Sequence, residues 1–170
     1  MKIEIYTDGG AIDNPGQGAI GVVIRYSGKI KEYAERIGDC TNNQAEYKAV
    51  IFGLKKLRLL IGKEKREASH NRMRSIIDKD LKCFTSKFRS KLRNFDIKTS
   101  EIILHLDSEL VGNQLLGKYK IKDKELAPLF IQYWNLKIDL PNLKIKIVPR
   151  EQNKEADKLV KSALFKKELF

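Results

Sequence analysis

Apolar and polar residues alternate near the start of the chain, and this alternation predicts β-strands. We expect three strands in succession, at about residues 2–7, 19–25 and 29–37. The stretch 8–18, with four glycines and one proline, and the Ser27-Gly28 pair are typical of turns between strands. Short links between consecutive strands indicate an antiparallel meander.

A helical spacing of apolar residues begins after the third strand and extends from Tyr47 to Ile61. Asn43 is placed to cap this helix, with Glu46 three residues later in the capping-box position. The remaining predicted elements are strands at about 101–106 and 144–148 and helices at about 108–116, 124–140 and 153–170. This order of elements predicts an α/β fold in which helices flank a mixed sheet.

The segment at about 62–100 has a different character from the rest of the chain. Between Lys63 and Lys98 there are 12 basic and 5 acidic residues, and 12 minus 5 gives a net charge of +7. Apolar residues recur there every three or four positions, at Met73, Ile77, Leu81, Phe84, Phe88, Leu92 and Phe95. This spacing predicts an amphipathic helix with an apolar stripe and a basic face.

The whole chain is basic as well, because 34 basic minus 22 acidic residues give a net charge of +12. Such an excess favours a polyanionic partner, with nucleic acid as the first candidate. The alternative is a solvated basic surface without a specific partner. A length of 170 residues suits a single domain that spans the chain.

Cysteine usage and hydropathy limit where the protein works. The two cysteines, Cys40 and Cys83, have no metal-type spacing, so we expect free thiols and a cytoplasmic location. The apolar runs are short and broken by lysine, which argues against a membrane-spanning segment and a membrane partner. The first residues have no apolar stretch typical of a secretory signal.

Four acidic residues stand at positions where predicted elements begin or end. Asp8 and Asp107 are each expected to end a strand, and Glu46 and Asp157 lie in the opening turns of two helices. Each has an ordinary explanation as a turn residue, a cap or an anion at a helix N-terminus. If the two strands are adjacent and parallel, however, their carboxyl ends open onto one crevice that all four carboxylates can reach.

Four carboxylates in one crevice repel one another and bind protons unless cations neutralise them. Hard oxygen ligands in this number suit Mg²⁺ or Mn²⁺. Two such ions about 4 Å apart would clamp a phosphodiester, activate a water and stabilise the leaving oxygen. An acidic crevice in a basic protein therefore predicts a metal-dependent nuclease.

Several motifs resemble, in the same order, those of the type 1 ribonuclease H family. They are Thr7-Asp-Gly-Gly, Asn14-Pro-Gly, Thr41-Asn-Asn-Gln-Ala-Glu, Leu106-Asp-Ser and Arg150-Glu-Gln-Asn-Lys-Glu-Ala-Asp157, and the match covers about residues 1–60 and 101–165. The resemblance implies a ribonuclease H-like fold with a five-stranded mixed sheet. Its first three strands would be antiparallel, and the fourth and fifth would run parallel to the first.

The resemblance also implies an activity and a site. The activity is hydrolysis of the RNA strand of RNA–DNA hybrids with two Mg²⁺ ions, for which Mn²⁺ substitutes, leaving 3′-hydroxyl and 5′-phosphate ends. Duplex RNA is a plausible side substrate, and a monomer is favoured. The catalytic and metal-binding residues would be Asp8, Glu46, Asp107 and Asp157. The substrate-binding residues would be Asn14, Asn42, Asn43, Gln44 and Arg150.

Two of the departures from the family pattern concern the loop before Asp157 and the segment after the first helix. The loop at 149–156 lacks the histidine that many members carry, which resembles the histidine-lacking branch, and Arg150 or Glu151 are candidates to replace it in part. The basic segment at 62–100 has no family counterpart and is interpreted as an insertion in the single domain. Its helix either grips the nucleic-acid backbone beside the site or stabilises or dimerises the protein.

Two other functions fit the same sequence pattern. A fold does not determine a substrate, so the chain could be a resolvase-like or transposase-like nuclease. A hybrid-binding module without catalysis is the other alternative, and we would expect it to lack one of the four carboxylates. A panel of hybrid, duplex DNA, duplex RNA and junction substrates distinguishes these functions.

Overall fold

The computed structural model describes residues 1–77 and 100–165, with side chains for 1–62 and 100–165. The strands are β1 (Lys2–Ala11), β2 (Gly16–Tyr26), β3 (Lys29–Cys40), β4 (Glu101–Leu106) and β5 (Leu143–Ile147). The helices are α1 (Asn42–Ile77), α2 (Glu109–Leu115), α3 (Ala127–Ile138) and α4 (Lys154–Phe165). A single 3₁₀ turn at Arg150–Gln152 precedes α4.

The five strands form one mixed sheet in the order β3-β2-β1-β4-β5. β2 pairs antiparallel with both β1 and β3. β4 pairs parallel with both β1 and β5, and the β1–β4 ladder ends at the pair Tyr6 and His105. The predicted α/β fold, with its antiparallel meander and two parallel strands, is confirmed.

Helices α1 and α4 cover opposite faces of the sheet. Gly53 of α1 packs beside Val22, whereas the neighbouring Gly21 faces Ala156 of α4. Successive residues of a strand point to opposite faces, so these contacts place the two helices on different sides. The larger core lies on the α1 side, where buried side chains such as Ile5, Leu54, Leu104 and Tyr133 pack together.

Strand β1 is longer than the sequence predicts. Asp8, Gly9 and Gly10 were expected to begin a turn, but they continue the strand to Ala11 and pair with β2. The Asp-Gly-Gly sequence is locally turn-like, yet the ladder with β2 supplies hydrogen bonds that outweigh this preference. Asp8 therefore lies inside β1, just beyond the last pair of the parallel ladder, rather than at the end of the strand.

The capping box of α1 also differs from the prediction. Thr41 Oγ1 accepts a hydrogen bond from the Gln44 backbone N–H at 3.3 Å, and Gln44 Oε1 accepts one from the Thr41 N–H at 2.9 Å. This reciprocal pair is two residues earlier than the predicted pair of Asn43 and Glu46. Glu46 consequently does not serve as a capping residue.

Helix α1 is continuous from Asn42 to Ile77, so it extends into the segment predicted at 62–100. The rest of that predicted amphipathic helix, at 78–99, lies outside the described residues, as do Cys83 and residues 166–170. Cys40 is a buried free thiol. Among the helices in 1–77 and 100–165, none has both the length and the apolar character needed to cross a membrane.

Candidate active site

Three carboxylates converge near the carboxyl ends of β1 and β4. Asp8 lies in β1, Glu46 in the first turns of α1, and Asp107 directly after β4. One carboxylate oxygen of each lies within 4.8 Å of those of the other two. Asp8 and the Glu46 oxygen Oε2 are buried, whereas Asp107 is partly exposed.

The close approach of α1 to β1 brings Glu46 towards Asp8. Gly9 allows this approach, because a Cβ at that position would collide with the backbone of Ala45 in α1. The backbone N–H of Gly9 also donates a hydrogen bond of 3.0 Å to Asp8 Oδ1. The glycine after the first aspartate thus contributes to both the position and the orientation of the carboxylates.

Asp157 has a different environment from the other three acids. Arg150 donates to its Oδ1 at 3.2 Å, and Lys161 donates to its Oδ2 at 2.6 Å. Partial burial acts to raise the pKa of Asp157, but these two hydrogen bonds hold that pKa below its ordinary value. Asp157 is therefore paired with two basic side chains of the protein itself, Arg150 and Lys161.

Burial and mutual repulsion make Asp8 and Glu46 difficult to ionise. Desolvation, followed by the negative charges of Asp107 and Asp157, raises the pKa of Asp8 from 3.8 to about 7. Desolvation, followed by the charges of Asp8 and Asp107, raises the pKa of Glu46 well above its ordinary value. The positive charge of Arg150 opposes both shifts. A divalent cation would reverse both shifts, because its positive charge favours the ionised form of each carboxylate.

The donor atoms fit a hard divalent cation. All three converging groups offer carboxylate oxygens, which Mg²⁺ and Mn²⁺ prefer. Glu46 Oε2 is buried, and no described residue donates a hydrogen bond to it. A bound cation would satisfy this oxygen and remove the repulsion among the three carboxylates.

Asn153 is a site residue that sequence reasoning missed. Its side chain is buried, and its Nδ2 donates to the Thr7 carbonyl oxygen and to Asp107 Oδ1, each at 2.9 Å. It belongs to the motif that ends at Asp157, and its place just before α4 is the available sequence signal. An asparagine there is ordinarily interpreted as a helix cap, which conceals its contact with the acids.

The predicted substrate-binding residues lie around the start of α1. Asn14 Oδ1 accepts a hydrogen bond from the Asn42 N–H at 3.0 Å, and Asn42 Oδ1 accepts one from the Ala11 N–H at 2.8 Å. These bonds hold the β1–β2 turn against the helix that carries Glu46. Asn43 is exposed at the same helix end, and Gln44 forms the capping box described above.

Arg150, the remaining predicted substrate-binding residue, is exposed and bonded to Asp157. The structure brings Asp8, Glu46 and Asp107 together with Asp157 and Arg150 beside them. The catalytic, metal-binding and substrate-binding roles assigned to these residues stay predictions.

Comparison with known proteins finds ribonuclease H relatives both among family models and among solved structures. The RNase H family model matches residues 1–74, and a model described as reverse transcriptase-like matches residues 95–163. The structure of LC11-RNase H1, isolated from compost by a metagenomic approach, is 35% identical, with coverage of 97% of this chain and 96% of that one and a TM-score of 0.72. A structure of LC11-RNase H1 in complex with an RNA/DNA hybrid is 34% identical, with coverage of 96% and 97% and a TM-score of 0.69.

Curated relatives include a bifunctional protein of Mycobacterium tuberculosis. It is 28% identical over 167 residues, which is 96% of this chain and 36% of that protein. The chain thus spans little more than a third of the length of the first curated relatives that it matches.

Proposed function

The chain belongs to the type 1 ribonuclease H family, and from this premise we propose that it is an endoribonuclease that cleaves the RNA strand of RNA–DNA hybrids. The observation that carries the proposal is the convergence of three carboxylates, each with one oxygen within 4.8 Å of the others. The relative in complex with an RNA/DNA hybrid supports the choice of substrate. The net charge of +12 suits a polyanionic partner.

Asp8, Glu46, Asp107 and Asp157 would hold two divalent cations, Mg²⁺ or its substitute Mn²⁺. When bound, such ions neutralise charge on the scissile phosphate and lower the pKa of a water molecule, so that it can act as the nucleophile near neutral pH. The protein's own contribution is to hold the carboxylates in place before substrate arrives. The expected products carry 3′-hydroxyl and 5′-phosphate ends.

Arg150 and Lys161 keep Asp157 ionised and add positive charge at the exposed side of the site. This charge would offset part of the repulsion between the three carboxylates and a phosphate backbone that approaches them. We assign Arg150 a role in substrate binding on this basis. Its loss would weaken hybrid binding and also release Asp157 from one of its two partners.

The amides of Asn14, Asn42, Asn43 and Gln44 would contact the hybrid near the cut. An amide both donates and accepts hydrogen bonds, which suits a 2′-hydroxyl and distinguishes RNA from DNA. The Asn42 side chain accepts from the Ala11 N–H and the Asn14 side chain from the Asn42 N–H, which fixes these two side chains relative to α1. Duplex RNA offers 2′-hydroxyls on both strands and is proposed as a weaker substrate.

A cleavage assay tests the function directly. A hybrid labelled on the RNA strand is incubated with Mg²⁺, with Mn²⁺ or with EDTA, beside duplex RNA, duplex DNA and a four-way junction. We expect cleavage of the hybrid RNA with either metal and none in EDTA, with end-labelling to identify 5′-phosphates. Preferential cleavage of the junction, or metal-independent binding without cleavage, would overturn the proposal.

A further inference from the structure

Asn153 connects three of the elements that surround the carboxylates, namely β1, β4 and α4. Its side-chain amide bonds Thr7 in β1 and Asp107 after β4, as described above. Its backbone carbonyl accepts a hydrogen bond from the Asp157 N–H at 3.1 Å, which places it at the start of α4. One residue is therefore bonded to β1, to the end of β4 and to the helix that carries the fourth acid.

These bonds occur where the sheet itself no longer connects β1 with β4. The backbone ladder between the two strands ends at Tyr6 and His105, so Thr7 and Asp107 lie beyond it. The hydroxyl of Thr7 reaches the carbonyl oxygen of His105 only at 3.5 Å, which is long for a hydrogen bond. The two 2.9 Å bonds of Asn153 continue the connection between the strands at the level of the acids.

The chemistry of an amide suits this position better than that of any acid. Its NH₂ group donates two hydrogen bonds, one to a carbonyl oxygen and one to a carboxylate. An aspartate would have no donor and would add a fifth negative charge beside Asp107. Asn153 Oδ1 is buried, and it has no hydrogen-bond partner among the described residues. An unpaired buried amide oxygen is unfavourable for folding and is typical of a functional site.

We propose that Asn153 is a positioning residue for the cation site: its amide fixes Asp107 relative to Thr7 and Asp8, and its backbone fixes α4 relative to both. The inference rests on the proposed function, because it assumes that these carboxylates bind divalent cations. Asn153 acts through Asp107 and the adjacent backbone, so its loss changes the spacing of the ligands rather than their number.

Calorimetric titration with Mn²⁺ in the absence of nucleic acid tests this role. Asn153→Ala removes both donors, and Asn153→Ser keeps one donor and still suits the start of a helix. Asn135→Ala, at an exposed position in α3, is the matched control. We expect Mn²⁺ binding to weaken about 10–100-fold in Asn153→Ala, to weaken less in Asn153→Ser and to stay unchanged in the control.

Cleavage kinetics on a hybrid give a second measurement, the metal concentration for half-maximal rate, which a purely structural role of Asn153 would not change. In Asn153→Ala the metal concentration for half-maximal rate should rise in parallel with the calorimetric affinity. At saturating Mn²⁺ the KM for hybrid should stay within about twofold of the original value. Thermal melts establish the temperature at which every variant is folded during the measurements.

The outcomes separate the inference from the proposed function. If folded Asn153→Ala binds Mn²⁺ as tightly as the original protein, the positioning role is wrong even where hybrid cleavage is intact. If Asn153→Ala does not fold, Asn153→Ser decides: weakened Mn²⁺ binding supports the role, and unchanged binding overturns it. If the original protein binds Mn²⁺ and Asn153→Ala does not, yet no hybrid is cleaved, the inference holds and the proposed function fails.

Discussion

The buried carboxyl group of Asp8 lowers the stability of the folded protein when it ionises. Burial and the neighbouring acids raise the pKa of Asp8 to about 7, so the folded protein retains a proton that the unfolded chain would release. The Gly9 N–H, which donates a hydrogen bond to Asp8, and the positive charge of Arg150 act in the opposite direction and lower this pKa. A bound cation would remove the cost of ionising Asp8, and metal binding would then be coupled to folding.

Replacing Asp8 tests its catalytic assignment. Asp8→Asn keeps the shape of the side chain but removes a charged ligand, and we expect the rate of hybrid cleavage to fall about a thousandfold or more. The control is Asp39→Asn, because Asp39 is exposed in β3. Turnover is measured with a labelled hybrid at saturating Mg²⁺, and near-normal turnover in Asp8→Asn would contradict the assignment.

The same substitution should stabilise the protein when no metal is present. The folded-state pKa of Asp8, about 7, lies above the ordinary value of 3.8, so the stability that this group contributes is complete below about pH 4 and is lost as the pH rises to about 7. Asp8→Asn has no carboxyl group to ionise at this position, so it does not lose this stability as the pH rises. In EDTA at pH 8 its Tm should exceed that of the original protein by roughly 2–8 °C, since about 1–2 kcal/mol shifts the midpoint that far in a domain of this size.

Thermal melts across pH 4–8 check this expectation, with Asp39→Asn again as the control. The difference in Tm between Asp8→Asn and the original protein should shrink as the pH falls. Added Mg²⁺ should raise the Tm of the original protein more at pH 8 than at pH 5, because the ligands must be deprotonated to bind it. A lower Tm for Asp8→Asn at pH 8 in EDTA would contradict this account of repulsion.

At the scale of the elements, close backbone approach sets the site geometry. The position of Glu46 depends on how near α1 lies to β1, and Gly9 allows that approach. Gly9→Ala should therefore destabilise the protein by about 1–3 kcal/mol, because the added methyl pushes the helix away. It should also reduce hybrid cleavage, since Glu46 moves with the helix.

The adjacent glycine supplies the control for this prediction. A Cβ on Gly10 would lie 3.5 Å from Val160 Cγ1, which is ordinary van der Waals contact. Gly10→Ala should change stability by less than about 1 kcal/mol, measured as the urea midpoint of unfolding. Equal effects of the two substitutions would show that strand propensity, rather than the contact with α1, determines the result.

The strands and helices could be predicted from the sequence because their apolar spacing is local. The parallel direction of the fourth and fifth strands relative to the first came from a resemblance rather than from spacing, and it is confirmed. The end of β1 and the cap of α1 were predicted wrongly. Asp8 was predicted to begin a turn, but pairing with the distant strand β2 keeps it in β1. Asn43 was predicted to cap α1, but Thr41, two residues earlier, forms the capping box.

The candidate site could be predicted only in part. Acidic residues placed at element ends identified the three carboxylates that converge, and the Asp157–Lys161 pair has a helical spacing of four that is visible in the sequence. The bond from Asn153 to Asp107 could not be anticipated. It joins residues 46 positions apart and depends on how α4 docks against the sheet.

The distribution of charge is a property of the whole molecule. Of the net +12, the segment from Lys63 to Lys98 accounts for +7, and the remaining residues for +5. A second basic stretch with four lysines, Lys118 to Lys124, connects α2 to α3 and is largely exposed. Either stretch could supply contacts to the backbone of a hybrid, and the two are separate enough in sequence to be tested independently.

Salt dependence distinguishes the two stretches. In one variant, Lys87, Arg89, Lys91 and Arg93 are replaced by Gln, and in a matched variant Lys118, Lys120, Lys122 and Lys124 are replaced in the same way. Hybrid affinity is measured across salt concentrations in the Asp8→Asn background, where cleavage is suppressed. Each phosphate contact that is lost should reduce the slope of log affinity against log salt by about one.

If the basic segment at about 62–100 binds the backbone, the first variant should have a shallower slope than the Asp8→Asn parent. Its affinity should fall for every hybrid sequence, because phosphate contacts carry no sequence information. An unchanged slope would reject this role and favour a stabilising or dimer-forming helix. Sedimentation and thermal melts of the same variant then separate those two alternatives, since loss of dimer alters mass and loss of packing lowers the Tm.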